Sequence, residues 1–168
     1  ISVLDTMPSG RKPVITELVS PDKRDSSYDR MRTELASGRQ AYVICPRISD
    51  PDPDEEQKLQ LRSVTAEAKR LQEKIFPEYR IGIMHSKMTK QKKEEVMQEF
   101  ANHEIDILVS TSVIEVGVNV PNASVMIIEG AERFGLSQLH QLRGRVMRSS
   151  HQPYCFLFTE SMGDITEK

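Results

Sequence analysis

The chain has 168 residues and a mass of 19.2 kDa, enough to close one hydrophobic core and too few for two well-sized ones. Hydrophobic residues make up 38% and charged residues 29%, the balance of a globular chain and not of a collagenous or disordered one. Lys plus Arg number 23 against 25 for Asp plus Glu, a net charge of −2, so no global field draws the chain to a polyanion and any phosphate contact has to come from a local patch.

The longest apolar runs, at residues 125–128 and at 105–109 where Asp106 interrupts, are strand-sized and far short of the roughly 20 residues a membrane span requires. The N-terminus, Ile1-Ser-Val-Leu-Asp5, has neither the basic start nor the apolar centre of a secretory signal. Cys45 and Cys155 both sit in apolar, strand-like runs, the setting of buried reduced thiols. A cytoplasmic protein without membrane contact is expected.

Residues 1–13, with Thr6-Met-Pro-Ser-Gly-Arg-Lys-Pro13 rich in turn formers, read as a linker entering from something upstream. A domain over 14–160 and an exit segment over 161–168 complete the expected organisation. Within the domain the pattern predicts extended segments at 14–19, 40–45, 80–84, 106–110, 125–129 and 154–158, and helices at 28–36, about 61–75, 90–101 and 137–145. Strand-sized runs alternating with amphipathic helices predict an α/β fold: three layers, with a mostly parallel central sheet and helices on both faces. The acidic, proline-bearing run Asp50-Pro-Asp-Pro-Asp-Glu-Glu56 reads as a solvated surface insertion.

In such a sheet, ligands are expected where loops leave the carboxyl ends of the strands. His85-Ser-Lys-Met88 follows one predicted strand and precedes a helix, offering backbone N–H groups and a lysine charge to an anion. A lone histidine at a strand end is more often a structural hydrogen-bonder than a ligand or a base. Thr111-Ser-Val-Ile-Glu-Val-Gly-Val-Asn-Val-Pro121 follows another: Thr111 and Ser112 supply hydroxyls, Gly117 permits close backbone approach, and Val113, Ile114, Val116 and Val118 are expected to pack the turn while Asn119 faces a polar site. By spacing alone this is as much a core strand with a tight connection as a site. The third is Gln138-Leu-His-Gln-Leu-Arg-Gly-Arg-Val-Met-Arg148. Arg145 and Arg148 are three apart, Gln141 and Arg143 flank them, and no acidic residue occurs between Phe134 and Gln152. Unpaired guanidiniums repel unless a polyanion sits among them, and their fork geometry suits phosphate oxygens. No Gly-rich loop ending in Gly-Lys-Ser/Thr occurs, and no Asp-Glu pair follows an apolar strand. Arginines without a P-loop amount to half of a phosphate site.

Gln141-Leu-Arg-Gly-Arg-Val-Met-Arg148 resembles motif VI of superfamily 2 helicases, Thr111 to Asn119 resembles their motif V, and His85 to Met88 falls near their motif IV. The string Ser112 to Ala123, followed by Ala131-Glu-Arg-Phe-Gly-Leu-Ser-Gln-Leu-His-Gln-Leu-Arg-Gly-Arg145, is similar to the RecG-type helicases, as is the entry segment Pro8 to Pro13. The Mfd-type coupling translocases share the second run, and Ser149 to Gln152 resembles that branch. Ile114-Glu-Val-Gly117, Pro121-Asn-Ala123 and Cys155 after Tyr154 favour the RecG type. Asn119 stands where motif V usually has Asp, and Met147 where motif VI usually has Gly.

The resemblance implies the second RecA-like motor lobe of an ATP-dependent DNA helicase acting on branched junctions and stalled forks, with a first lobe and a wedge domain elsewhere in the protein. It implies that Arg145 and Arg148 act as arginine fingers on ATP and its Mg2+, both bound mainly by the first lobe. Gln141 would position the fingers or the attacking water, and Gly117 and Asn119 would touch the nucleotide. His85, Ser86, Lys87, Thr111 and Ser112 would hold a DNA backbone. The isolated lobe is expected not to hydrolyse ATP, and Arg145 and Arg148 are expected together at the carboxyl edge of the sheet. A non-catalytic α/β binding module is the rival class, favoured if those arginines are scattered or locked in internal ion pairs.

Overall fold

The computed structural model describes residues 13–46, 48–85, 88–111, 120–147 and 151–160, with Arg145 and Met147 as backbone. Six strands, β1 (Ile15–Val19), β2 (Gln40–Cys45), β3 (Ile81–Met84), β4 (Ile107–Thr111), β5 (Ala123–Ile128) and β6 (Tyr154–Phe158), form one sheet in the order β1-β6-β5-β2-β4-β3. Every neighbouring pair is parallel. All strand carboxyl ends therefore lie along one edge of the sheet and all amino ends along the other.

Side chains on β2 alternate between two cores, as a strand covered on both faces requires. Ala41, Val43 and Cys45 pack with Tyr28, Met31 and Leu35 of α1 (Arg24–Ala36) and with Val64 and Ala68 of α2 (Pro53–Arg70). Tyr42 and Ile44 face the other way, onto Val96, Met97 and Phe100 of α3 (Lys90–Ala101) and Leu142 and Val146 of α4 (Leu136–Met147). The expected three layers are present.

The acidic run does not form a free insertion. Helix α2 begins at Pro53, not near Leu61, and the Asp52 side chain accepts the Asp54 backbone N–H at 3.0 Å. Proline is tolerated at the first helical position because its missing N–H is unneeded there, and Asp54, Glu55 and Glu56 lie against the positive end of the helix dipole. The acidic, proline-bearing composition is that of a helix start. At its other end α2 widens into a π-turn over Leu71–Ile75 and stops at buried Phe76. Helix α1 likewise starts earlier than periodicity suggested, at Arg24, after a short 3-10 turn over Pro21–Lys23.

Buried polar groups are met internally. The Gln40 amide donates to the Phe100 and Ile105 carbonyls at 2.6 and 2.8 Å, tying the start of β2 to the α3–β4 connection. Cys45 and Cys155 are both buried free thiols, and burial pushes the Cys155 thiol up to about 12. Among the described residues no helix is long and apolar enough to cross a membrane.

Candidate functional site

Two of the expected strand-binding residues come together on the carboxyl edge. β3 and β4 are neighbours with Met84 opposite Ser110, so His85, the residue after β3, stands beside Thr111, the last residue of β4. Thr111 is 2% exposed and His85 half-buried, which leaves His85 the more open of the two. Thr89 begins α3 close by, its side chain accepting the Lys92 backbone N–H at 3.1 Å, so a helix N-terminus faces this edge. Ser86, Lys87 and Ser112 lie outside the described residues.

The arginine helix corrects one expectation. α4 starts after the carboxyl end of β5 and leads into β6, whose first residue, Tyr154, lies level with Ile15 and Val125 near the amino ends of β1 and β5. In a parallel β-α-β unit the crossover helix must run back across the sheet. The last turn of α4, which contains Arg145, therefore lies at the amino edge and not at the carboxyl edge. Leu142 and Val146 are buried against the sheet, Gln141 is exposed, and Arg143 is half-buried near Cys155. The Arg145 side chain, Arg148, Gly117 and Asn119 lie outside the described residues. Val120, next in sequence to Asn119, is buried, and its carbonyl accepts the Ala123 backbone N–H at the start of β5, so this approach to β5 also lies at the amino edge.

A charged network on the carboxyl edge was not anticipated. Glu129, directly after β5, meets Arg24 of α1 at 3.3 Å and Arg70 of α2 at 3.8 Å. Arg70 also binds Glu67 at 2.8 Å and donates to the Tyr28 hydroxyl at 2.7 Å. A cavity of about 310 Å³ opens over this network, floored by Cys45 and Pro46 and walled by Glu67, Arg70, Glu129 and Glu160. Burial, and then the neighbouring Glu67 charge, raise the Glu129 carboxyl to about 7 despite Arg24. A carboxyl raised in this way binds its proton more tightly in the folded chain than in the unfolded one. It favours the fold most below the ordinary carboxylate range and gives up that contribution as pH rises through about 7. Burial and the Glu129 charge likewise push the Tyr28 hydroxyl up to about 12. The sequence held one signal for this network: a carboxylate at the very end of an apolar strand, which the predicted segment 125–129 absorbed into the strand itself.

The β5–α4 connection is fixed at this same edge. Gly130 adopts φ +57, and a Cβ there would meet the Pro46 ring at 3.1 Å. Arg133 pairs with Glu160 at 3.0 Å, and the Glu132 carboxylate accepts the Glu160 backbone N–H at 2.9 Å. Among the described residues no group of three or more His, Cys, Asp or Glu could hold a metal ion.

Residues 23–150 match the family model of the helicase conserved C-terminal domain. The RecG helicase of Synechocystis sp. is 49% identical over 161 residues, covering 96% of this chain and 19% of that protein. The RecG helicase of Thermotoga maritima is 46% identical over 164 residues, covering 98% and 20%. Among solved structures, RecG bound to a three-way DNA junction superposes with a TM-score of 0.76 at 43% identity, covering 97% of this chain and 20% of that one. The second domain of the DEAD-box helicase Mss116p shares the fold, with a TM-score of 0.58 at 16% identity.

A parallel three-layer domain carrying this arginine helix is a RecA-like helicase lobe, and the chain belongs to the helicase conserved C-terminal domain family. Over nearly its whole length the chain is similar to RecG helicases. It spans about a fifth of the length of the curated relatives it matches.

Proposed function

We propose that the chain is the second motor lobe of an ATP-dependent DNA helicase that acts on branched DNA, with nucleotide completed at its amino edge and a DNA strand held at its carboxyl edge. What supports this is the separation of the two groups of motif residues, His85 and Thr111 on one edge and the Arg145 turn of α4 on the other, within a chain similar to RecG helicases. The two ligands then do not compete for one surface, and the lobe can respond to one while gripping the other.

At the amino edge, Arg145 and Arg148 reach across to ATP held by another lobe and stabilise charge developing on the transferred phosphoryl group. Gln141, exposed on the same helix, orients that encounter, and Gly117 and Asn119 contact the nucleotide. Mg2+ is assigned with the ATP to the other lobe. At the carboxyl edge, His85, Ser86, Lys87, Thr111 and Ser112 hold phosphates rather than bases, so grip is indifferent to sequence. The chain leaves Thr111 at one edge and reaches Val120 at the other, a direct covalent path between the two sites. Closure of the lobes with ATP and reopening after hydrolysis would alternate the grip and move the protein along DNA.

Thr111→Val keeps the buried volume and removes the hydroxyl. In the full-length protein it should raise the DNA concentration needed for half-maximal ATPase stimulation several-fold, while the KM for ATP stays within about twofold. A raised KM for ATP with unchanged DNA dependence would move Thr111 out of the strand site.

A further inference from the structure

We propose that the Glu67–Glu129 carboxyl pair is a proton-uptake site linked to DNA binding, Glu129 taking a proton from solvent as a strand settles on the carboxyl edge; this rests on the reading that the strand lies on that edge. The geometry is specific. Ile128 lies opposite Ile44 and Cys45 opposite Thr111, so Glu129, Cys45 and Thr111 stand in a row across three adjacent strands. With strands about 4.8 Å apart, the Glu129 backbone is about 10 Å from that of Thr111. A phosphate at Thr111 thus falls within roughly one Debye length of the Glu129 carboxylate.

The groups around Glu129 leave room for a proton. One Nη2 of Arg70 reaches both carboxylates, at 2.8 Å to Glu67 and 3.8 Å to Glu129. Arg24 touches Glu129 Oε1 but also spans Phe158 and the Thr159 carbonyl. Glu129 Oε2, the atom 3.8 Å from Arg70 Nη2, is buried with no hydrogen-bond partner among the described residues, and it is the atom a proton would occupy. Tyr28 and Cys45, the other titratable groups at the network, both have their pKa values raised and stay neutral around pH 7. Arg133 and Glu160, also on the cavity wall, already pair with each other. That leaves Glu129, poised at about 7, as the group that answers an arriving negative charge.

One phosphate charge at about 10 Å raises a carboxyl pKa by about 0.3 to 1.2 for effective dielectric constants between about 80 and 20. Starting from about 7, this gives an uptake of about 0.2 to 0.4 proton per bound chain at pH 7. The same linkage makes DNA affinity about 2- to 6-fold weaker at pH 8 than at pH 6 through this group alone.

The test is calorimetric titration of the full-length protein with a synthetic junction DNA at pH 7, in buffers of different ionisation enthalpy. Each titration yields both the affinity and the number of protons taken up. The wild type should take up about 0.2 to 0.4 proton more than Glu129→Gln. Glu67→Gln, which removes the charge that helps hold the proton on Glu129, should lose the uptake at pH 7 and recover it at lower pH. Melting curves confirm that each variant is folded. Equal proton numbers in all three proteins, with affinity retained, would overturn the linkage and leave the strand site standing. DNA binding that is indifferent to Thr111→Val and Lys87→Ala would instead remove the strand from this edge, and the linkage with it.

Discussion

Arg145→Ala in the full-length protein should cut DNA-stimulated ATP turnover by about a thousandfold or more, while junction DNA binding stays within a few fold. The size follows from what a guanidinium does in phosphoryl transfer: it meets charge present only in the transition state, and arginines in that role are worth about 10³ to 10⁵ in rate. The selectivity follows from topology. Arg145 belongs to the last turn of α4, at the edge where β6 begins, whereas His85 and Thr111 lie at the edge where β3 and β4 end. Removing a charge at one edge leaves the other's contacts in place. Steady-state ATPase assays with saturating DNA, beside a binding isotherm, check both halves. A loss shared equally by turnover and DNA affinity would place Arg145 on the nucleic acid.

The second large effect concerns stability. Phe76 is fully buried where α2 ends, edge-on to Tyr28 of α1 at 5.9 Å and to Tyr79 at 6.2 Å, with the Arg32 guanidinium over its ring at 5.1 Å. It joins α1 and α2 on one face of the sheet and lies in neither proposed ligand site. Phe76→Ala removes the ring and leaves a cavity that rigid neighbours fill only partly, at a cost of about 3 to 5 kcal/mol. Against a whole-domain stability of about 5 to 15 kcal/mol, that is a large share. Chemical denaturation should show a lower midpoint with an unchanged slope. A loss below about 1 kcal/mol would mean that α1 and α2 close over the gap.

Much of the fold was legible because period-2 and period-3.6 patterns report burial directly. β2, apolar over Ala41 to Cys45, and α3, with Val96, Met97 and Phe100 on one side, lie where the pattern predicted them. The start of α2 was not legible in those terms: its first turn buries nothing and is set by Asp52, Pro53 and the dipole, so hydrophobic period is silent there. The arginine run was visible through its spacing and its lack of acidic neighbours, but its edge was misassigned. Ligands gather at strand carboxyl ends, but parallel topology carries a residue near the end of a crossover helix to the opposite edge. The Glu129 network was hidden for a different reason. Arg24, Glu67, Arg70 and Glu129 come from three separate elements, and only the three-dimensional packing of α1 and α2 beside the end of β5 brings them together.

The most direct test is a structure of the full-length protein holding both a junction DNA and a mimic of the transferred phosphoryl group. The Arg145 guanidinium should lie at about 3 Å from that mimic, at the amino edge, with a DNA phosphate on the opposite edge beside His85 and Thr111. Nucleotide and DNA lying along the same edge of this sheet would contradict this placement.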